Sequence, residues 1–280
     1  MLFDTHAHVN FKDYKNDVDA VLTRAREKAV AMINVGSQLS TSERAVEMAE
    51  KYPRVFAAVG LHPIHLEAML VVEDGVSFQT RAEQYDFKSY HELAVRERVV
   101  AIGECGLDYF HIDPAHDIAM VKDKQKTVLH DQIELANNVN KPLILHCRGS
   151  RDNYLDAYAD LLHELKKNLP KQRGVVHCFG GDEALAEQYV ELGFYIGFTG
   201  VLTFDRSGRT SRVVSQIPAE RILAETDCPY LTPEPFRGQR NEPIYVEYVV
   251  NKIAEVRQLT FDDAARLTTQ NAKTLFNVAL

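Results

Sequence analysis

The side chains best suited to chemistry are four histidines and two carboxylates, each at the end of a short apolar run. They are His6, His8, Glu104, His146, His177 and Asp227. Because His6 and His8 are two residues apart, their imidazoles point the same way on a strand. Asp4 shares that face and is expected behind them. Any one of these histidines alone is more simply explained as a hydrogen-bonded structural residue.

Together, the six groups indicate a site for divalent metal ions. Burying so many polar groups in one place is costly unless a cation pairs with them. Neutral imidazoles carry no charge, so Glu104 and Asp227 supply two negative charges, and two divalent ions leave the cluster about two charges positive. Such a site attracts an anionic substrate oxygen. The residues therefore predict a site for two divalent metal ions that binds an anionic group.

Eight apolar runs rich in Val, Ile and Phe, typical of buried parallel strands, position these groups. The predicted strands are residues 2–8, 30–35, 55–61, 99–104, 142–146, 174–177, 194–198 and 221–227. Amphipathic stretches predict helices at 13–28, 40–52, 80–96, 121–140, 153–168, 182–192, 210–216, 243–257 and 261–277. Five of the strands end on proposed ligands, and in a parallel barrel those ends share one face.

This alternation predicts an α/β protein, either a closed (β/α)8 barrel or an open doubly wound sheet. The first strand is not followed by GxGxxG, the fingerprint of the nucleotide-binding open sheet. Eight strands favour a single (β/α)8 TIM barrel with the metal site at the C-terminal face of the strands. Without a Pro-, Gly- or Ser-rich linker, residues 1–280 are expected to form one domain. The long connection 62–98, which carries Glu73, Asp74 and Gly75, is expected to pass over the barrel rim.

The composition limits the classes of partner. Lys and Arg number 32 against 40 Asp and Glu, a formal net charge of −8, which argues against gripping a long DNA duplex by charge alone. The electric field of bound metal ions acts within about 8 Å and can outweigh the net charge of the whole chain there. The negative net charge therefore does not exclude a phosphate-containing substrate. The N-terminal residues lack a signal-peptide pattern, and no apolar stretch reaches the roughly 18 residues of a membrane span. We therefore expect a cytoplasmic protein without a membrane or an obligate protein partner.

The four cysteines each follow a proposed ligand directly. They are Cys105, Cys147, Cys178 and Cys228. Strand alternation turns their thiols away from the metals, so we expect small buried packing residues rather than a disulfide framework.

Seven segments carry a resemblance to a known family. They are DTHAH at 4–8, GLHP at 60–63, GECGLDY at 103–109, KPLILHCR at 141–148, VHCF at 176–179, GFYI at 193–196 and ETDCPYL at 225–231. In this order, and spread over nearly the whole chain, they resemble the TatD family of metal-dependent hydrolases, within the amidohydrolase barrel superfamily.

The resemblance implies a role for each of the six residues. His6 and His8 would hold one metal with Asp227, Glu104 would bridge two metals, and His146 and His177 would hold the second. The ions would be Mg²⁺, Mn²⁺ or Zn²⁺. The implied activity is that of a deoxyribonuclease that works from the 3′ end of single-stranded DNA.

Catalytic and substrate-binding roles follow as hypotheses. A water activated by the metals attacks the phosphodiester, with Asp227 as general base and Glu104 as the second catalytic residue. Arg148 is a candidate phosphate anchor because its fork matches two oxygens. Further candidate substrate contacts are His62, Arg206 and Arg237, and Tyr109 and Phe110 are candidates for stacking on a base.

Other functions fit the same barrel. One alternative is an amidohydrolase or phosphotriesterase-like hydrolase of a small amide, lactone or ester. Another is a D-aminoacyl-tRNA deacylase. A metal-binding scaffold without activity is disfavoured, because a scaffold has no need of an open coordination position. The loops at the rim, rather than the fold, must decide among them.

Overall fold

The computed structural model describes residues 1–73 and 76–280. Ten strands occur in these residues: β1 Leu2–Ala7, β2 Val30–Val35, β3 Val55–Val59, β4 Leu70–Glu73, β5 Val76–Gln79, β6 Val99–Asp108, β7 Leu143–Arg148, β8 Gly174–Val176, β9 Tyr195–Phe198 and β10 Ile222–Ala224. Eight of them form one parallel sheet in the order β1, β2, β3, β6, β7, β8, β9, β10. Apart from the half-buried His146 and Arg148 of β7, the residues of these eight strands are buried, as expected for strands covered on both faces.

Contacts between the first and last strands bring this sheet nearly to closure. The amide of Asp227 donates to the carbonyl of His6 at 2.8 Å. The Asp4 carboxylate accepts from the amide and the hydroxyl of Thr226, at 2.9 and 2.6 Å. Eight parallel strands with helices between them confirm the predicted (β/α)8 barrel. The expectation of one domain over 1–280 stays a prediction.

Helices surround the sheet. They are α1 Val18–Glu27, α2 Leu39–Lys51, α3 Phe87–Ala94, α4 Ile118–Val139, α5 Asp156–Lys167, α6 Glu183–Glu191, α7 Val201–Phe204, α8 Arg209–Gln216, α9 Val246–Arg257 and α10 Phe261–Phe276. The short α7 had no counterpart in the sequence analysis. Within 1–73 and 76–280, none of these helices combines the length and the apolar composition that a membrane span requires.

The connection between β3 and β6 differs from the prediction. Instead of one helix from residue 80, an antiparallel β4–β5 hairpin precedes a shorter helix that starts at Phe87. The Asp86 carboxylate caps this helix by accepting from the Ser89 amide at 2.9 Å. The Thr80 hydroxyl, just after β5, accepts a hydrogen bond from the Met69 amide, just before β4, at 2.8 Å and so joins the two ends of the hairpin.

Alternating burial explains why the apolar run before residue 80 forms a strand. Val71 is buried, whereas its neighbours Leu70 and Val72 are exposed, which is the period of a strand. The predicted passage over the rim includes Asp74 and Gly75, which lie outside the described residues.

The last helix covers the N-terminal mouth of the barrel. The side-chain amide of Asn271 donates to the carbonyls of Ala219 and Ile222 at 2.9 and 2.8 Å, just before and within β10. Phe276 at the end of α10 packs into the same apolar cluster as Phe3. This mouth is therefore filled, and the polar side chains gather at the opposite mouth.

Candidate active site

The residues predicted as ligands surround the floor of a cavity of about 1070 Å³ at the C-terminal ends of the strands. Five of them line it: His8, Glu104, His146, His177 and Asp227. His6 is fully buried beside them, and its ring stacks on that of His177 with 3.5 Å between centroids. The fold thus brings together all six side chains that the sequence singled out.

Glu104 stands between two groups of histidines. Its Oε2 atom lies 3.4 Å from Nε2 of His6 and 3.7 Å from Nε2 of His8. Its Oε1 atom lies 3.0 Å from Nδ1 of His146 and 3.5 Å from Nε2 of His62. One carboxylate therefore contacts both groups, as a ligand that bridges two ions must.

His6, His8 and Asp227 form the first candidate metal-binding group. Their Nε2, Nε2 and Oδ1 atoms lie between 3.1 and 3.7 Å from one another. Ligands about 2.1 Å from a tetrahedral ion are about 3.4 Å apart, so this spacing fits three ligands around one ion. Nδ1 of His8 lies 2.8 Å from the Val35 carbonyl oxygen, which favours the tautomer whose Nε2 lone pair is available to a metal.

The second candidate group consists of His62, Glu104 and His146. Behind it lies Asp108, to which the sequence alone assigns no role. Its Oδ2 atom is 3.0 Å from Nε2 of His146 and 2.9 Å from Nδ1 of His111. Asp108 ends β6 four residues after Glu104, so strand alternation was the signal that places both carboxylates on one side.

Glu225 positions His177 and was likewise left without a role. Its Oε2 atom accepts from Nδ1 of His177 at 2.9 Å and from the Cys178 amide at 3.0 Å. The side chain fits because residue 197 is glycine: a Cβ on Gly197 would lie 2.3 Å from Oε1 of Glu225. Glu225 lies two residues before Asp227 in the predicted strand 221–227, and this spacing was the signal that could have placed its side chain near the ligands.

Replacing Glu225 with glutamine is expected to weaken metal binding by about 10- to 100-fold, because the carboxylate that orients His177 is lost. The measurement is activity as a function of free metal concentration. Since Glu225 is a positioning residue, saturating metal should restore most of kcat in Glu225→Gln.

Glu164→Gln is the matched control for this substitution. Glu164 is also largely buried and also pairs with a histidine, His130, at 2.9 Å, but on α5 outside the cavity. An unchanged metal dependence in Glu225→Gln, or an equal loss in Glu164→Gln, would contradict the assigned role.

Asp4 does not stand behind the imidazoles as expected. Its carboxylate accepts from the backbone amide of His6 at 3.2 Å and from Thr226, whereas Nδ1 of His6 has no hydrogen-bond partner among the described residues. Complete burial raises the pKa of Asp4 to about 8. Asp4 therefore holds the backbone of the first and last strands rather than an imidazole ring.

Burial and charge together set the protonation of the cluster. Burial alone would raise the pKa of Glu104, but the nearby histidines, His62 foremost, hold it well below its usual range. Burial lowers the pKa of His177, but Glu225 and Asp227 outweigh burial and raise it to about 9. The carboxylates thus stabilise positive charge on the neighbouring imidazoles. A divalent cation bound among the same groups would supply that positive charge instead and would displace the protons.

The four residues predicted to contact substrate occupy different depths. Arg148 and Arg206 line the cavity. His62 lies deeper than expected, within the second group beside Glu104. Arg237 is exposed, with its guanidinium 4.0 Å from the centre of the Phe204 ring, which itself lines the cavity. Their contact with a substrate stays a prediction.

Both cationic and apolar side chains line the cavity. Six basic side chains line it: Lys12, Arg44, Arg81, Arg148, Arg206 and Arg209. The hairpin contributes Val71 and Phe78, and Phe78 lies 6.2 Å from the ring of His65. The cavity can therefore take an anionic group beside a flat apolar one.

The four cysteines are free thiols, and three of them are buried: Cys105, Cys147 and Cys228. Burial raises the pKa of Cys228 to about 12, so this thiol stays protonated at neutral pH. Cys147 and the half-buried Cys178 line the cavity, and Sγ of Cys178 lies 3.2 Å from the Thr199 hydroxyl. The prediction of buried packing residues is confirmed for three of the four.

Comparison with known proteins connects this cluster to a family. The family model described as "TatD related DNase" matches residues 3–277. The chain is 42% identical, over 99% of its length and 100% of the relative, to "Uncharacterized metal-dependent hydrolase YabD" of Bacillus subtilis. It is 32% identical, over 99% of its length and 100% of the relative, to "3'-5' ssDNA/RNA exonuclease TatD" of Escherichia fergusonii.

A solved structure agrees with these sequence relatives. The crystal structure of YJJV, a TatD homologue from Escherichia coli, superposes with a TM-score of 0.82 at 31% identity, covering 99% of this chain and 98% of that one. These matches confirm the resemblance carried by the seven segments. The chain belongs to the TatD-related DNase family of metal-dependent hydrolases.

Proposed function

We propose that this protein is a deoxyribonuclease that removes nucleotides from the 3′ end of single-stranded DNA, using water activated at a two-metal site. The observation that carries the proposal is a carboxylate–histidine cluster in a cavity lined by six Lys and Arg side chains, in a chain whose net charge is −8. The cavity lining holds six Lys and Arg against five Asp and Glu, whereas acidic residues outnumber basic ones in the whole chain, so with divalent cations bound the cavity favours an anionic substrate. The name of the Escherichia fergusonii relative supports the polarity of cleavage.

In this proposal two divalent ions bind in the cluster. His6, His8 and Asp227 would hold one ion, His146 and His177 would hold the other, and Glu104 would be the ligand that both ions share. His62 is close enough to Glu104 to complete the second group. Such a mixed set of imidazole and carboxylate ligands suits Zn²⁺ or Mn²⁺ and accommodates Mg²⁺. When bound, the ions lower the pKa of water and offset negative charge on the phosphate oxygens.

Asp227 is placed to take the proton of the attacking water. Its side chain is 16% exposed against 6% for Glu104, so the cavity reaches it more readily. Burial raises its pKa, but His177 and His8 outweigh burial and hold the pKa below the usual range. Asp227 therefore remains an ionised acceptor at neutral pH.

The cationic and the apolar side chains of the cavity would contact different parts of the substrate. Arg148 and Arg206 bind the phosphate oxygens, because a guanidinium matches two oxygens at once. Val71 and Phe78 offer an apolar surface to a nucleobase. This division orients a nucleotide with its phosphate toward the metals.

The test is cleavage of a 15-residue single-stranded DNA labelled at either end, with Mg²⁺, Mn²⁺, Zn²⁺ or a chelator. We expect metal-dependent shortening from the 3′ end, a ladder from the 5′-labelled strand and immediate release of the label from the 3′-labelled strand. A duplex of the same sequence should be cut more slowly, since its 3′-terminal nucleotides are base-paired and must unpair before one of them can enter the cavity.

A panel of amides, lactones and D-aminoacyl-tRNA is tested alongside the DNA. Turnover of one of these without metal-dependent loss of nucleotides would overturn the nuclease proposal and favour that hydrolase instead. Shortening from the 5′ end would retain the nuclease and overturn its polarity.

A further inference from the structure

The loop after β7 carries charged and aromatic side chains that extend outward from the cavity. Arg151 and Tyr154 lie on this loop, and both are exposed, Tyr154 by 48%. Neither lines the cavity described above. The predicted ligand set and substrate contacts give these two residues no role.

Each of the two side chains shares a contact with an arginine of the cavity wall. The guanidinium carbons of Arg148 and Arg151 lie 3.9 and 4.8 Å from the centre of the same Phe110 ring. The guanidinium carbon of Arg209 lies 4.5 Å from the centre of the Tyr154 ring. The loop thus brings together two arginine–aromatic groups, one of Arg148, Phe110 and Arg151 and one of Arg209 and Tyr154, and we call these five side chains the arginine–aromatic strip.

The loop is held in a fixed shape. The Ser150 amide donates to Oδ1 of Asp156 at 2.9 Å, and the Asn153 amide donates to the Ser150 hydroxyl at 3.2 Å. A Cβ on Gly149 would lie 2.2 Å from the Tyr154 carbonyl oxygen, so the loop folds back tightly at glycine. Arg151 and Tyr154 are therefore presented by a preorganised loop, which lowers the entropic cost of binding a ligand.

Charges of both signs lie near the strip. Arg206 lines the cavity beside Arg209. The acidic neighbours are Asp152 on the loop, Asp205 next to Arg206, Asp156, which pairs with Lys122, and Glu183, which pairs with Arg212. The carboxylate of Asp205 is hydrogen-bonded within its own loop, since it accepts from the Ser207 and Thr210 amides at 2.9 and 3.0 Å. By contrast, Nε of Arg209 is buried without a hydrogen-bond partner among the described residues. Arg209 thus brings one donor without a described partner to the strip.

We propose that the arginine–aromatic strip binds the single-stranded nucleic acid that continues beyond the nucleotide in the cavity, with phosphates on Arg151 and Arg209 and a base stacked on Tyr154. This inference rests on the proposed nuclease function. Guanidinium groups interleaved with aromatic rings suit a single strand, because the phosphates pair with the cations and any base stacks on a ring. A duplex has no free base face to offer Tyr154.

The experiment measures binding and cleavage separately with the full-length protein. Binding of fluorescently labelled dT15 is followed by anisotropy in the presence of a chelator, as a function of salt. For Arg151→Ala/Tyr154→Ala we expect the Kd to rise about tenfold or more, and the slope of log affinity against log salt to fall by about 0.7 for the lost phosphate contact. With metal, the ratio of kcat/KM for dT15 to that for dT2 should fall by a similar factor.

Two control variants keep the test decisive. Arg266→Ala removes one exposed positive charge on α10, away from the cavity, and should leave dT15 binding unchanged. Arg151→Lys/Tyr154→Phe keeps the charge and the ring and should restore affinity to within about threefold of wild type, which excludes misfolding as the cause.

The outcomes separate the strip from the proposed function. If wild type cleaves dT15 but Arg151→Ala/Tyr154→Ala binds dT15 as tightly as wild type does, the role of the strip is overturned and the nuclease proposal is kept. Weakened binding in that variant without any cleavage by wild type supports the strip and overturns the nuclease. An equal loss of binding in Arg266→Ala overturns the strip, because overall charge then suffices.

Discussion

Glu104→Gln is expected to lower kcat/KM for single-stranded DNA by at least about 10³-fold, because one oxygen of Glu104 faces each of the two ligand groups. The Oε2 atom lies 3.4 Å from Nε2 of His6, and the Oε1 atom lies 3.0 Å from Nδ1 of His146. An amide nitrogen cannot act as a ligand, so glutamine leaves one ion without its shared oxygen. Metal analysis should find two ions per wild-type chain and one or none per Glu104→Gln chain.

Glu164→Gln is again the control, because it removes a buried carboxylate paired with a histidine outside the cavity. It should retain both wild-type activity and wild-type metal content. Circular dichroism must show that Glu104→Gln remains folded. A folded Glu104→Gln with two bound ions and activity within tenfold of wild type would rule out Glu104 as the bridging ligand.

The sequence was sufficient to predict the barrel and the six clustered side chains. Buried parallel strands are nearly all apolar, so a polar residue at the end of such a run, as at Glu104 or His146, stands out clearly. Once eight strands alternate with helices, all of their C-terminal ends lie on one face. Residues far apart in the chain, such as His6 and Asp227, could therefore be predicted to meet.

Strand lengths were less predictable, because the regular pairing of a strand stops before the apolar run in the sequence stops. Cys178 and Asp227 have φ values of 43° and 57°, in the left-handed region where strand pairing stops. The strands β8 and β10 end at Val176 and Ala224, and His177 and Asp227 lie just beyond them, where a single parallel bridge still joins Cys228 to Ala7. Neither cysteine nor aspartate signals that conformation in the way that glycine does.

Asp108 and Glu225 show where sequence reasoning falls short. Both lie inside segments that resemble the family, but their roles depend on which histidine each one contacts. Asp108 meets His146 from the adjacent strand, and Glu225 meets His177 across the space above Gly197. Such cross-strand contacts depend on the register between neighbouring strands. The hydrophobic pattern shows which side chains face the core, but it does not show which residue of one strand lies opposite which residue of the next.

Asp227→Asn is expected to lower kcat by about 10³-fold at saturating metal while changing KM for single-stranded DNA by less than about threefold. Asparagine has nearly the shape of aspartate but cannot accept the proton of the attacking water. The lining arginines, which bind substrate in the proposal, are untouched, so the loss should fall on kcat. Steady-state kinetics at several metal concentrations separate this effect from weaker metal binding, because Asp227 also lies 3.4 Å from Nε2 of His8.

The pH dependence distinguishes a lost base from a lost ligand. Without Asp227, hydroxide from solvent must supply the attacking group, so the residual rate of Asp227→Asn should rise about tenfold per pH unit where wild type is level. A variant that only lost a ligand would regain its rate with added metal and keep the level wild-type profile. That second result would assign Asp227 to metal binding alone and require another base, for which the remaining cavity-facing carboxylate of the cluster, Glu104, would be the first residue to test.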